Sequence, residues 1–209
     1  MQVRRTFSAS RAWRPTVGAG LTQTLGSTTH PVFMLTPSLQ SNRTLRIGGV
    51  SKSGLLRQLR ESGVQLNALA LDLIAHDDFQ PSVEQITLTV VQTSVAELGL
   101  NQGGHFEDIV VSALARGYSL CPLEVGPHLR LAFSDQIEGF DGQALIKNCA
   151  PPGSVTVASR PVSEDDDIPK GFYLRVNEGV PWLRGYRSWH GHVWSPTDVF
   201  AFAGAPSAA

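Results

Sequence analysis

A chain of 209 residues, 42% hydrophobic and 17% charged, has the material for one generous domain with a sizeable core, which excludes a chain disordered throughout. Seventeen basic side chains against eighteen acidic ones give a formal charge of -1, so the molecule as a whole lacks the field that gathers nucleic acid or an anionic membrane. No run of about 18 apolar residues occurs, so no transmembrane helix is expected, and two cysteines, Cys121 and Cys149, are too few for a disulfide-built secreted scaffold and fit a cytoplasmic protein.

The first sixty residues carry nine basic side chains and no acid, the first carboxylate being Glu61. MQVRRTFSASRAWRP has the Arg and Ser of a transit peptide, yet the following TVGAGLTQTLGSTTHP has no apolar helical face. Residues 1–42 therefore read as a disordered tail or as a mis-assigned start with Met34 as the initiator, with a basic nucleic-acid-binding arm as the minor alternative. A single domain is expected over 43–203, and 204–209 as a disordered C-terminus.

Ser51 or Ser53 can cap a helix carrying Leu55, Leu56 and Leu59 that stops at Gly63, and Leu66, Leu69, Ala70, Leu73 and Ile74 recur at the spacing of a second helix. EQITLTVVQT (84–93) alternates as a strand, SVAE (94–97) is a capping box for one short turn, and a further helix runs from Phe106 to Arg116 before Gly117. Five strands are expected after that: HLRLAF (128–133), SVTVASRPV (154–162), GFYLRV (171–176), PWLRGYR (181–187) and DVFAF (198–202). NEGV is the hairpin loop between the third and fourth of these, SDQIEGFDGQALIKNCAPPG (134–153) a long loop and SEDDDIP (163–169) an acidic one. The sum is an α+β domain, a helical hairpin plus one further helix packed on a mostly antiparallel β-sheet.

Five patterns bear on function. Cys121, Glu124 and His128 are the residue types of an activated thiol, though they match no known cysteine-nucleophile signature, and a buried apolar cysteine ending a segment at Pro122 is the plainer reading. His190 and His192 in WHGHVW would lie on one side of an extended segment, as two ligands of a metal do, but no third ligand shows the spacing. Helix, Gly63, helix has the form of a DNA-binding hairpin, yet LNALALDLIA offers few side chains to read base edges. GGVSKSG lacks the spacing of a phosphate loop.

The fifth pattern comes from strand alternation. Tyr173 and Arg175 share a face in FYLRV, and Trp182, Arg184 and Tyr186 share one in WLRGYR. With His128 and Arg130 on the same side, a sheet face would interleave cations with rings and suit a carboxylate, a phosphate, a base or an acidic partner surface. The opposing reading is a solvated face whose Arg stems cover the rings.

GVQLN (63–67), LCPLEVGPHLRL (120–131), PPGSVTVASRP (151–161), GFYLR (171–175), WLRGYR (182–187) and HVW (192–194) together resemble a family of uncharacterised bacterial proteins. The resemblance runs from about Gly48 to Phe202 and implies one compact unit in a bacterial cytoplasm, with no particular activity or cofactor. The leading expectation is a binding or interaction protein that holds an anionic small molecule or an acidic protein surface through His128, Arg130, Tyr173, Arg175, Trp182, Arg184 and Tyr186, without nucleic acid, membrane or cofactor. Behind it stand a small hydrolase using His128 with Cys121 or Glu124, or a metal at His190 and His192, and then DNA binding through the 51–75 hairpin.

Overall fold

Thr44 and Arg46 are exposed while Leu45 and Ile47 between and beyond them are buried, the two-residue period of a half-buried strand. This is β1 (Ser41–Ile47), the first element of a computed structural model that describes residues 41–139 and 150–204. It begins two residues inside the segment read from sequence as tail; residues 1–40, residues 140–149 of the long loop with Cys149 among them, and the last five residues lie outside the described ones. β1 pairs antiparallel with β3 (Ile86–Ser94), from Ser41 opposite Gln92 to Ile47 opposite Ile86.

The helical hairpin forms, with a strand inside it. Ser51 accepts from the Gly54 N–H at 3.2 Å and starts α1 (Lys52–Glu61); Asn67 accepts from the Ala70 N–H at 3.0 Å and starts α2 (Ala68–Ala75). Leu66, expected in the second helix, instead forms β2 (Gln65–Leu66), parallel to β6 (Val180–Tyr186). The same Asn67 exchanges hydrogen bonds with the backbone of Gly185, at 3.0 and 2.8 Å, so one side chain caps the helix and continues the strand pairing. Local periodicity could not show this, because the partner strand lies more than a hundred residues away.

The largest departure is HLRLAF. It is not a strand: Val125–Ala132 forms a helix, α4. Leu129, Leu131 and Phe133 fit a two-residue alternation, but Val125, Leu129 and Phe133 also fit the four-residue spacing of a helix face, and those three are buried in the core. Pro127 is tolerated because it sits in the first turn, where backbone N–H groups have no intrahelical acceptor to lose. Gly126 is required by close approach, since a Cβ there would stand 2.6 Å from the Phe172 ring.

The remaining elements follow the expected order: α3 (Phe106–Leu114) and β4 (Val155–Val157), in place of a strand over 154–162, are shorter than expected, β5 (Gly171–Asn177) is one residue longer, and β7 (Val199–Ala203) is shifted by one residue. Ser94 and Glu97 form the expected capping box, with the Ser94 N–H donating to Glu97 Oε2 at 2.9 Å and the Glu97 N–H to Ser94 Oγ at 3.2 Å. β5 and β6 join through Glu178 and Gly179, both at positive φ, the backbone of a two-residue hairpin turn.

Among the described residues seven strands form one sheet in the order β1-β3-β7-β4-β5-β6-β2, antiparallel except at β7-β4 and β6-β2. The protein is an α+β fold with helices packed on a mostly antiparallel mixed sheet. Residues on alternate positions of β7 divide the interior: Ala201 joins the core beneath α1, α2 and α4, while Phe200 and Phe202 join a second core with Ile109 and Ala113 of α3. The hairpin's apolar stripes, Leu55 and Leu59 with Ala70, Leu73 and Ile74, are buried in the first of these. Among the described residues no helix is long and apolar enough to cross a membrane.

Candidate functional site

The β5–β6 register sets the geometry of the α3-side face. Tyr173 lies opposite Arg184, Arg175 opposite Trp182, and Gly171 opposite Tyr186, so the five side chains singled out from alternation stand on one face, with Phe172, Leu174 and Leu183 on the other. The Arg184 guanidinium lies 5.1 Å from the centre of the Trp182 ring, and the Tyr173 and Tyr186 rings are 6.4 Å apart. Arg175 is buried and donates to Asn177 Oδ1 at 2.9 Å.

His128 and Arg130 are not on this face. Both project from α4, which packs against β1, β5 and β6 from the other side of the sheet. Arg130 is buried and donates to Gln136 Oε1 at 2.5 Å and to the Phe133 carbonyl, while Gln136 donates onward to the carbonyls of Gly153 and Leu174. It ties the C-terminus of α4 to the sheet, and burial brings its pKa down to about 10. His128 Nε2 accepts from the Gly48 N–H at 3.2 Å, which requires a neutral ring, and burial lowers its pKa against the opposing pull of Glu124, 3.7 Å away. Glu124 Oε1 in turn accepts from the Ser82 N–H at 3.1 Å and the Ser82 hydroxyl at 2.5 Å.

Cys121 is 3% exposed in the same core, its Sγ against the Ala201 carbonyl at 3.5 Å, and burial pushes its thiol up to about 12. At neutral pH it is a buried, protonated thiol, and the sequence-level pairing with His128 loses its nucleophile. The structure has a use for each of the three residues: Cys121 fills core, Glu124 and His128 hold the Gly48 and Ser82 turns against α4.

The aromatic face continues into the WHGHVW loop, whose histidines had the residue types of a metal pair or, more plainly, of surface histidines beside aromatic rings. Trp194 exchanges backbone hydrogen bonds with Gly104, at 2.9 and 3.2 Å, which pulls residues 187–194 over the sheet beside the start of α3. Its indole is 6% exposed and packs perpendicular to Phe200, Tyr186 and His192, with ring centres 4.9, 5.6 and 4.7 Å away. Trp194 is the central residue that the sequence reading missed; the density of rings in WHGHVW was its only signal, and the contact with Gly104 was not legible.

Two hollows are lined in common by Tyr186, Ser188, His192 and Trp194. The first, about 240 Å³, is lined by Thr156, Tyr173, Tyr186, Arg187, His192 and Trp194 among others. Burial raises the pKa of both tyrosines, partly offset at Tyr173 by the charges of Arg184 and Arg175, so both hydroxyls stay protonated donors at neutral pH. His192 is held neutral by burial and by the neighbouring His105. The second hollow, about 300 Å³, is lined by His190, Trp189 and Lys170 among others. His190 and His192 thus come together, but among the described residues no group of three or more His, Cys, Asp or Glu stands where it could hold a metal ion.

On the hairpin, the exposed positions of α2 are Ala68, Leu71, Asp72 and Ala75, with no basic side chain to meet a phosphate backbone. The chain matches no family model, no curated protein and no solved structure.

Proposed function

We propose that this protein is a non-catalytic binding protein whose site is the first hollow, and that it holds a small molecule with a flat apolar body and one anionic group. The observation that carries this is the position of Tyr173: its ring lines the hollow while its phenol lies within the field of Arg184 and Arg175. Arg187 adds a third guanidinium at the lining itself. Rings would take the apolar body by stacking, and a protonated phenol with nearby guanidinium groups would meet the anion through charge-assisted hydrogen bonds. A hollow of this size suits a ligand of about one ring plus a short substituent, somewhat below the range of drug-sized sites.

Benzoate is a direct probe. Titration followed by tryptophan fluorescence is expected to saturate, with affinity lowered about tenfold or more in Arg187→Ala and in Arg184→Ala, the loss of one charge-assisted contact. A linear, unsaturable response, or wild-type affinity in both variants, overturns the assignment.

A further inference from the structure

The second hollow has the opposite electrostatic character. Its rings are Phe106, Tyr186, Trp189 and Trp194, and its carboxylates are Glu107, Glu164 and Asp166. The cation that lines it, Lys170, is already committed: its buried ammonium donates to the carbonyls of Ser163 at 3.0 Å and Asp165 at 2.9 Å, and stands 3.7 Å from Asp166 Oδ1. Three carboxylates therefore face one ammonium, two of whose three donors are taken by carbonyls and which is paired with Asp166. An anion entering here would meet net repulsion.

Trp189 supplies a second, independent indication. It is 55% exposed, an uncommon place for a bare indole, yet it is held in position. The His192 N–H donates to the Trp189 carbonyl at 2.9 Å, closing a turn, and the ring lies directly on Gly191, where any Cβ would overlap the indole. The His190 ring meets it edge-on with centres 5.9 Å apart. An exposed aromatic surface fixed by a glycine and bordered by carboxylates is pre-organised for a soft, weakly hydrated cation.

We infer that this second hollow binds the ammonium group of a small organic cation, with the rings of Trp189, Trp194 and Tyr186 taking its alkyl shell and Glu107, Glu164 and Asp166 supplying the countercharge. The two hollows share Tyr186, Ser188, His192 and Trp194, but Trp189 lines only this one and Tyr173 only the other, so the two readings can be tested apart.

The test is a titration with tetramethylammonium chloride at constant ionic strength, read from the indole N–H resonances. A saturable shift is expected that sodium chloride does not reproduce. Trp189→Ala should weaken it about tenfold, the scale of a partly desolvated cation–π contact, while Trp189→Phe retains part of the affinity. Glu164→Gln combined with Asp166→Asn should weaken it as well and reduce its dependence on salt. Running n-butylammonium beside it distinguishes a free quaternary ion from a lysine-like primary amine; tighter binding of either supports an ammonium site and tells which source it fits. No saturation with either cation, an equal response to sodium, or unchanged affinity in Trp189→Ala overturns the inference. Benzoate binding measured on the same Trp189→Ala protein separates the two sites, since it should be unaffected.

Discussion

The two sides of the β5–β6 hairpin meet the same kinds of polar side chain, borne by α4 on one side and by the strands and the 187–194 loop on the other, and the protein uses them differently. On the α4 side, Glu124, His128 and Arg130 are 3%, 8% and 2% exposed, and the hydrogen bonds they make go to Ser82, Gly48, Gln136 and Phe133. On the α3 side, Tyr173, Tyr186, His192 and Trp189 border open space. A buried charge or imidazole costs several kcal/mol unless paired, so packing first assigns such groups to structure, and only those left at the margin of the packing are free for a ligand.

Adjacent residues on β5 test this contrast most severely. Phe172 is fully buried toward α4, edge-on to Phe79 at 6.2 Å and against Gly126, whereas Tyr173 points into the first hollow. Phe172→Ala is expected to cost about 3–5 kcal/mol in urea unfolding. Tyr173→Ala should cost roughly 1–2 kcal/mol and abolish the benzoate response. Equal destabilisation by the two would mean that the faces do not differ in kind.

Acid probes one histidine on each face. His128 and His192 both have folded pKa values below the usual imidazole value of about 6.5, through burial in each case and, at His192, the nearby His105 as well. Between the two values the unfolded chain binds more protons than the folded one, so stability rises with pH there. It should be fully present above the ordinary histidine pKa and lost as the pH falls through the lowered one. Urea midpoints taken across this window are expected to fall toward acid, and His128→Gln and His192→Gln should each remove part of the slope. The glutamine introduced by His128→Gln can still accept from the Gly48 N–H, so an unchanged slope in both variants would contradict the neutral-histidine reading of each face.

The smallest effect belongs to Trp189. Being half exposed, Trp189→Ala should change stability by no more than about 0.5 kcal/mol, measured in the same denaturation assay. A large loss would make this indole a structural lid over the loop and would place it with the α4-side residues.

Local rules account for a good part of this molecule. Ser51 and the Ser94–Glu97 box are read from nearby donors and acceptors, and Tyr173, Arg175, Trp182, Arg184 and Tyr186 share a face because side chains alternate along any strand. Such rules hold wherever the chain is extended or capped. The rest was decided by contacts between distant segments. The 128–133 segment satisfies both periods, and the space opened by Gly126 against Phe172, forty-six residues away, selects the helix. Leu66 leaves its helical pattern because β6 offers a backbone partner, and Trp194 reaches the sheet through Gly104. His128 and Arg130 could have joined the arginines of the hairpin; the side of the sheet on which α4 packed turned them into internal ties, because a pattern fixes which residues share a face but not which body of protein that face will meet.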